Sequence, residues 1–471
     1  MKLTFSKKSI DESPKEYVRI KLTQEPKSTR TFVRENSVQT LEIGAGKGSE
    51  MTRRKFMLLC RSIVRTARAN KVKKIVLQFD RTPELFEGLQ KENVSPEWVS
   101  QVAAENYEMA NFEFTTFKTK PKEGWDEVEE ILLCGKSSPS IEAATKKGQM
   151  IGQSVNACRA LANTPGGDMT PRKLAQAAKQ AAAGLPISVK TLGQKDMEKL
   201  GMGSLLGVAK GSSEEPTFTI MEYKGATGAP IVLAGKGVTF DSGGLNLKPE
   251  SGIYEMHMDM SGAASVIHAV ALAARLKVKK HVIGLVPSVE NMPGNNAYRP
   301  GDILKSLSGK TIEVLNTDAE GRLILADAIT YAKRFKPAVM LDVATLTGAV
   351  MVALGLYANG VMSRDKKLAD TLVELGEESG DYCWPLPLWD EYEDAVRGTF
   401  ADVTNVPGSG GRYGGAINGG MFLWQFAKEL DCPWAHLDIA SRMTSAPSDE
   451  LAKGAAGSPV RLLLHFIESW K

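Results

Sequence analysis

The spacing of apolar and polar positions predicts strands and helices in turn along the first third of the chain. Residues 37–46, 72–80 and 128–135 are short apolar runs typical of strands, whereas residues 51–70 and 95–114 carry apolar side chains at helical spacing. The first 40 residues are polar and show no clear period. Strands that alternate with helices predict an α/β domain with a partly parallel sheet.

One long helical pattern separates this region from a second one. It begins at Ser138 and ends near Asn163. Beyond it, "IVLAG", "HVIGLVPSV" and "AVMLDVATL" are uninterrupted apolar runs, typical of strands that are covered on both faces. We therefore predict an α/β protein of two domains, with a mixed central sheet flanked by helices in the larger one. The predicted parts are a smaller N-terminal α/β domain (1–138), a connecting helix (139–162) and a larger catalytic domain (163–471).

Length, net charge and cysteine content indicate which class of protein this is. The 471 residues suit two domains, and a formal net charge of +4 does not favour a nucleic-acid or membrane-surface protein. Five dispersed cysteines without a CxxC pair are typical of reduced thiols in the cytosol. The start has no apolar signal region, and no apolar stretch reaches the ~18 residues that span a bilayer. We expect a cytoplasmic protein.

Lysines and carboxylates are the candidate catalytic groups, because the common motifs for zinc binding, serine nucleophiles and phosphate binding are absent from the sequence. The sequence contains no HExxH, GxSxG or GxxxxGK[ST] motif, and its five histidines are dispersed, so a histidine-built zinc site is not favoured. A first cluster, residues 235–265, contains Lys236, Asp241, Lys248 and Asp259. Lys236 follows an apolar strand directly, and ligands bind outside the carboxyl ends of strands in open α/β sheets.

A second cluster is "NTDAEGRL", residues 316–323. In an extended segment Asp318, Glu320 and Arg322 would share one face, because side chains alternate, and we predict that they project into one space. A solvated turn with Glu320 at the start of a helix is the alternative interpretation.

The two clusters together favour a metal site. Asp241, Asp259, Asp318 and Glu320 would repel one another if they converged in an apolar setting. Two divalent cations about 3.5–4 Å apart would neutralise them, as in known hydrolytic centres. Lys236 can be a ligand only when neutral, and an adjacent metal charge would favour that form.

Several stretches closely resemble the leucyl aminopeptidase family (peptidase family M17, cytosol aminopeptidases). They are "GKGVTFDSGGLNLK", "MDMSGAA", "NTDAEGRL" and "ATLTGA", with "AHLDIA" and "GSPVRLL" near the end. The resemblance runs from Ala157 to the C-terminus and implies a metal-dependent exopeptidase that removes N-terminal residues, preferably Leu or Met, from short peptides. It implies two ions, Zn²⁺ or Mn²⁺ or both, bound by Lys236, Asp241, Asp259, Asp318 and Glu320.

The resemblance also implies roles for other residues. Lys248 would stabilise the oxyanion that forms when a metal-activated water attacks the scissile carbonyl. Arg322 would hold a bicarbonate ion as general base, with backbone N–H groups near Leu346 completing the anion site. The pocket for the first substrate side chain would be formed by Met256, Thr345, Gly348, Ala440 and Met443.

Assembly and alternative functions are further expectations. Members of this family are usually hexamers, which implies a homohexamer here. The glycine-rich loop at residues 403–420 departs from the family pattern by carrying Arg412 and Tyr413. A less favoured DNA-binding role would use the basic stretch at residues 52–74. A different two-metal hydrolase, such as a phosphatase, is also less favoured, because histidine ligands would be expected.

Overall fold

The computed structural model describes most of the chain, namely residues 1–27, 30–35, 38–78, 87–408 and 413–471. Three predicted features lie outside these ranges. They are the first residue of the predicted strand 37–46, the last two residues of the predicted strand 72–80, and Arg412. The chain divides into two compact units, which we call the first unit (Met1–Asn156 with Ser445–Lys453) and the second unit (Ala157–Thr444 with Gly454–Lys471).

The division falls inside the long helix Pro139–Ala162 rather than at either of its ends. The reason is a close helix–helix contact within the first unit. A Cβ atom on Gly148 would lie 2.0 Å from the carbonyl oxygen of Gln101, and one on Gly152 would lie 2.6 Å from that of Glu105. Glycine at these two positions lets the backbones touch, so most of this helix belongs to the first unit.

The first unit contains a six-stranded sheet in the order β1-β6-β5-β2-β4-β3, in which only β3 is antiparallel to its neighbour. The predicted α/β organisation is confirmed. The polar first 40 residues also contain strands that were not predicted, although Val18, Ile20 and Leu22 of β2 alternate with polar residues as in a half-buried strand. The elements are β1 (Lys2–Ser6), β2 (Val18–Thr23), β3 (Arg30–Glu35), β4 (Val38–Gly44), β5 (Lys74–Gln78), β6 (Glu130–Cys134), α1 (Arg53–Ala69), α2 (Glu87–Lys91), α3 (Pro96–Asn111) and α4 (Pro139–Ala162), with 3-10 turns at Ile10–Glu12, Gly48–Glu50 and Pro447–Asp449.

The second unit contains a mixed nine-stranded sheet, as predicted, and a small three-stranded sheet. Its strands are β7 (Ile187–Leu192), β8 (Thr217–Lys224), β9 (Ile231–Gly235), β10 (Gly237–Asp241), β11 (His281–Asn291), β12 (Ile303–Lys305), β13 (Thr311–Glu313), β14 (Val339–Ala344), β15 (Asn359–Met362), β16 (Cys383–Pro385), β17 (Val403–Thr404) and β18 (Trp434–Asp438). The larger sheet has the order β16-β15-β18-β14-β9-β11-β8-β7, and β10 also pairs with β11. The three apolar runs of the sequence are β9, β11 and β14, which lie side by side and are almost wholly buried.

Helices cover this sheet, with side chains from several of them in one large apolar core. They are α5 (Pro171–Ala181), α6 (Gln194–Leu200), α7 (Gly203–Ala209), α8 (Glu250–Ile253), α9 (Ser261–Arg275), α10 (Gly321–Ala332), α11 (Gly348–Leu354), α12 (Lys366–Ser379), α13 (Gly415–Ala427) and α14 (Val460–Ser469). Short 3-10 helices lie at Met256–Met258, Lys333–Phe335, Asp390–Val396 and Ala440–Arg442. Among the described residues, no helix is long and apolar enough to cross a membrane.

Strand direction brings polar residues to one edge of the larger sheet. Strands β18, β14, β9, β11 and β10 are parallel to one another. Their carboxyl ends therefore meet at the same edge, which is where ligands bind in open α/β sheets. The residues at or directly after these ends are Asp438, Thr345, Lys236, Asn291 and Asp241.

Candidate metal centre

Three buried carboxylates form the centre of the site. Asp241, Asp259 and Glu320 each offer one oxygen, and these oxygens all lie within 4.8 Å of one another. Asp318 joins them through a shared lysine, although its side chain is 32% exposed. The two clusters that the sequence analysis singled out, more than 50 residues apart along the chain, therefore meet in space.

Two lysines divide the carboxylates between them. Lys236 Nζ lies 2.8 Å from both Asp259 Oδ2 and Glu320 Oε1. Lys248 Nζ lies 2.8 Å from Asp241 Oδ2 and 2.5 Å from Asp318 Oδ1. Burial alone would lower the pKa of each lysine, but the surrounding carboxylates raise the pKa of both above the usual value. Both side chains are therefore ammonium ions in this arrangement.

The carboxylates carry more charge than the two lysines neutralise. Burial, together with the neighbouring Glu320, raises the pKa of Asp241 to about 6 and raises the pKa of Asp318. Burial also raises the pKa of Asp259 well above its usual value. Glu320 is the exception, because the two lysines outweigh burial and lower its pKa. The raised pKa values of the three aspartates indicate that a negative charge is unfavourable at these positions. A bound divalent cation would make it less so.

The donor atoms fit a divalent cation. Among the described residues, Asp259 Oδ2, Asp318 Oδ1 and Glu320 Oε1 are buried and have no hydrogen-bond partner, although a lysine ammonium group lies beside each of them. Carboxylate oxygens bind Mn²⁺, and a mixed set of oxygen and nitrogen ligands binds Zn²⁺. Lys236 has no electron pair to offer while it is protonated. A cation at the same carboxylates would offset the charges that raise the pKa of Lys236, which favours its neutral form.

A tight turn after β10 sets the position of Asp241 and Lys248. The Asp241 Oδ1 atom accepts the Gly243 N–H at 2.9 Å and the Asn291 Nδ2–H at 2.8 Å. Gly243 has φ +87°, and a Cβ atom there would lie 2.9 Å from Asp318 Oδ1. Glycine is needed here both for the left-handed backbone and for the close approach of Asp318.

The segment Asn316–Leu323 is not extended, so the predicted alternation of side chains on one face is wrong. Residues 317–318 form a turn, and α10 begins at Gly321, directly after Glu320. The turn forms because the Thr317 carbonyl accepts Asn291 Nδ2–H at 3.0 Å and the Tyr298 hydroxyl at 2.7 Å. Glu320 does precede a helix, but it is buried rather than solvated.

Gly321 has a specific reason to be glycine. A Cβ atom at this position would lie 2.5 Å from Lys236 Cε and 2.7 Å from Lys236 Nζ. The lysine side chain therefore passes directly over the first residue of α10. Any larger residue would displace Lys236 from Asp259 and Glu320.

Arg322 is buried in the first turn of α10. Its Nη1 donates to the Asn405 carbonyl at 2.6 Å, while its Nε has no hydrogen-bond partner among the residues that the structure describes. Burial lowers the pKa of Arg322 to about 10, so the guanidinium is charged at neutral pH. A Cβ atom on Gly419 would lie 3.5 Å from Arg322 Nη2 and 3.0 Å from Leu346 Cδ2, so Arg322 and Leu346 flank the same space.

The predicted anion contact at Leu346 is already engaged within the protein. Its N–H donates to Asp438 Oδ1 at 3.1 Å. An anion held by Arg322 would have to share or displace this hydrogen bond. The sequence analysis did not identify Asp438, although the residue stands in "AHLDIA", at the end of a buried strand.

One of the residues predicted to line a side-chain pocket contacts the carboxylates directly. Thr345 takes part in the site itself, since its hydroxyl donates to Asp259 Oδ1 at 2.6 Å and its carbonyl accepts from Lys236 Nζ at 2.9 Å. The others are half-buried or exposed at the starts of short helices or beside them. They are Met256, Gly348, Ala440 and Met443.

The loop that departs from the family pattern is described only in part, because Arg412 lies outside the described residues. Tyr413 is 91% exposed.

Comparison with known proteins identifies the family. Residues 156–464 match the model of the cytosol aminopeptidase family, catalytic domain. A probable cytosol aminopeptidase of Azoarcus sp. (strain BH72) is 51% identical over 339 residues, which cover 72% of this chain and 66%, about two thirds, of that protein. A probable cytosol aminopeptidase of Aromatoleum aromaticum is 47% identical over 378 residues, covering 79% of this chain and 74% of that protein.

A solved structure agrees with these relatives. The bottromycin maturation enzyme BotP in complex with Mn superposes with a TM-score of 0.86 at 27% sequence identity, covering 97% of this chain and 99% of that one. The chain therefore belongs to the cytosol aminopeptidase family, which confirms the resemblance seen in the sequence and, at the level of the family, the expectation of a metallo-aminopeptidase.

Proposed function

We propose that this protein is an aminopeptidase that removes apolar N-terminal residues, preferably Leu or Met, from short peptides with the help of two divalent cations. The observation that carries the proposal is the set of three buried carboxylates within 4.8 Å of one another. The structure of the similarly folded BotP is a complex with Mn, which supports the binding of a divalent cation by this fold. The proposed ligands are Lys236, Asp241, Asp259, Asp318 and Glu320.

The residues around the carboxylates have separate roles in the proposed reaction. Two divalent cations, when bound, would polarise the scissile carbonyl and lower the pKa of a water molecule. Without bound metal, Asp241, Glu320 and Asp318 outweigh burial and raise the pKa of Lys248. Lys248 is more exposed than Lys236 and is not a proposed ligand, so we propose that it keeps its proton when the cations are bound. Its ammonium group can therefore donate to the oxygen on which negative charge develops.

Arg322 is the proposed anchor for a bicarbonate ion. Its Nε is a buried donor that has no partner within the described ranges, and a planar guanidinium matches a carbonate-like anion. The anion would accept a proton from the attacking water and pass it to the leaving amine. The Leu346 N–H would contribute only by sharing its bond to Asp438.

Hydrolysis of Leu-p-nitroanilide tests the proposed function. Protein stripped with a chelator should be inactive, and Mn²⁺ or Zn²⁺ should restore activity. N-acetyl-Leu-p-nitroanilide should resist, because the reaction needs a free α-amine. The kcat/KM for Leu and Met substrates should exceed that for an Asp substrate, since burying a large apolar side chain contributes about 1.5–3 kcal/mol to binding. No hydrolysis with any metal, or hydrolysis of p-nitrophenyl phosphate instead, would contradict the proposal.

We also infer that the protein is a cytoplasmic homohexamer. The names of its relatives as cytosol aminopeptidases support the location. Large apolar side chains exposed on the second unit, among them Trp389 at 63% and Phe400 at 80%, are available for subunit contacts. Sedimentation equilibrium should give about six times the chain mass of 51.0 kDa. A single-chain mass at micromolar concentration would exclude a stable hexamer.

The fold gives no specific support to the less favoured DNA-binding role. Two arginines of the basic stretch, Arg61 and Arg68, are buried within the first unit. Arg61 Nε donates to Asn106 Oδ1 at 2.7 Å, and Arg68 Nε donates to the Asp126 carbonyl at 2.6 Å. These two side chains hold the unit together and are not available as surface charge.

A further inference from the structure

A further buried aspartate lies beside the metal centre without belonging to the proposed ligand set. Asp438 ends β18 and has no exposed surface. Its Oδ1 accepts the N–H groups of Leu346 at 3.1 Å, Ala440 at 3.2 Å and Thr347 at 3.4 Å. Its Oδ2 accepts the Thr347 hydroxyl at 2.7 Å. One carboxylate therefore holds the chain between β14 and α11 at several points.

Asp438 holds Leu346 and Thr347, and the residue directly before them, Thr345, contacts two proposed metal ligands. The Thr345 carbonyl accepts from Lys236 Nζ at 2.9 Å, and the Thr345 hydroxyl donates to Asp259 Oδ1 at 2.6 Å. The positions of both contacts depend on the path that the backbone takes after β14, and Asp438 fixes that path.

The strand that carries Asp438 is itself firmly placed. Strands β14 and β18 are parallel, and Ala344 pairs with Asp438 in their ladder. Deeper in the sheet, Asp342 Oδ1 lies 2.5 Å from His436 Nδ1, and Asp342 Oδ2 accepts the Trp434 Nε1–H at 2.8 Å. Buried hydrogen bonds thus hold β18 in one register, so Asp438 is a fixed point from which the next segment is positioned.

We propose that Asp438 is a positioning residue for the metal centre, acting through the Thr345–Thr347 segment on Lys236 and Asp259. The inference rests on the proposed function, because it assigns these two residues as ligands. Groups that orient metal ligands typically change metal affinity or activity about 10–100-fold when replaced. A purely structural role would instead lower the stability of the fold and leave metal affinity unchanged.

The test compares Mn²⁺ affinity with stability. The variants are Asp438→Asn, Thr347→Val and Thr347→Ser, with Asp327→Asn as the matched control. Asp327 is equally buried and accepts the N–H groups of Leu205 at 2.8 Å and Leu307 at 2.7 Å, but it lies outside the site. Calorimetric titration of the metal-free proteins with Mn²⁺ gives the Kd, thermal unfolding gives Tm, and Leu-p-nitroanilide gives kcat and KM.

We expect Asp438→Asn and Thr347→Val to raise the Kd for Mn²⁺ about 10-fold or more and to lower kcat more than they raise KM. Thr347→Ser should restore the wild-type Kd, because it keeps the hydroxyl that Asp438 accepts. Asp327→Asn should lower Tm and leave Kd unchanged.

If Asp438→Asn and Thr347→Val bind Mn²⁺ as tightly as the control, the inference is wrong and Asp438 only stabilises the fold. Should Asp438→Asn fail to fold, the comparison of the Kd values of Thr347→Val and Thr347→Ser tests the inference. Wild-type protein that neither binds Mn²⁺ nor hydrolyses the substrate would overturn the proposed function instead, so the two failures are distinguishable.

Discussion

Replacement of Glu320 by Gln should remove bound metal and hydrolysis together. Glu320 is buried, lies 2.8 Å from Lys236 and is close to both Asp241 and Asp259. Both Lys236 and Lys248 lower its pKa against the effect of burial, so it is the carboxylate that keeps its charge most readily. Gln has nearly the same shape but no charge. Metal catalysis supplies several kcal/mol, so activity should fall about a thousand-fold or more.

Metal content measured by mass spectrometry, together with kcat/KM, tests this prediction. Glu313→Gln is the matched control, because Glu313 is also buried in the second unit but accepts the N–H groups of Thr399 and Phe400. The control should keep two metal equivalents and near-normal activity. Two equivalents and normal activity in Glu320→Gln would contradict the assignment of Glu320 as a ligand.

Lys248→Ala should lower kcat about 100- to 1,000-fold, the usual effect of removing one donor to a developing oxyanion. Metal content should not fall, because the variant removes a positive charge that lies 2.8 Å from Asp241 and 2.5 Å from Asp318. The measurement is kcat on Leu-p-nitroanilide beside metal content. Loss of metal with loss of activity would instead indicate that Lys248 organises the ligands.

Arg322→Ala provides the comparison for Lys248→Ala in the same assay. We expect a smaller loss of kcat, because water can partly replace the bicarbonate ion that Arg322 would hold. Added bicarbonate should stimulate the wild-type protein and have no effect on this variant. A loss larger than that of Lys248→Ala would contradict the division of roles between the two residues.

Residue types and their order along the chain were enough to predict the chemical composition of the site. Lys236 and Asp241 stand next to a strand whose every residue is apolar, and such a strand is expected in the middle of a sheet. The structure confirms that β9 is fully buried and that its carboxyl end lies at the site. The alternating charged residues of 316–323 added Asp318 and Glu320 to this prediction, and the family motifs then implied that both bind metal.

The local geometry was not predictable in the same way. Thr317 adopts a turn because its N–H donates to Asn246 Oδ1 at 2.8 Å and its carbonyl accepts from Asn291 and Tyr298. Asn246 is 71 positions away in the sequence, so alternation within residues 316–323 carries no information about this contact. Strands β1 to β3 were missed for a different reason: they are short and lie in a polar region, although Val18, Ile20 and Leu22 of β2 do alternate with polar residues.

The sequence by itself determined which functional groups the protein has: carboxylates and lysines suited to divalent cations, on an α/β chain whose apolar strands must be buried. Tertiary structure alone decided their arrangement. Asp438 meets Leu346 across 92 positions, and Gly321 must be glycine because Lys236 passes over it. Such contacts depend on strand order and backbone path, which arise from packing of the whole unit and not from any local pattern.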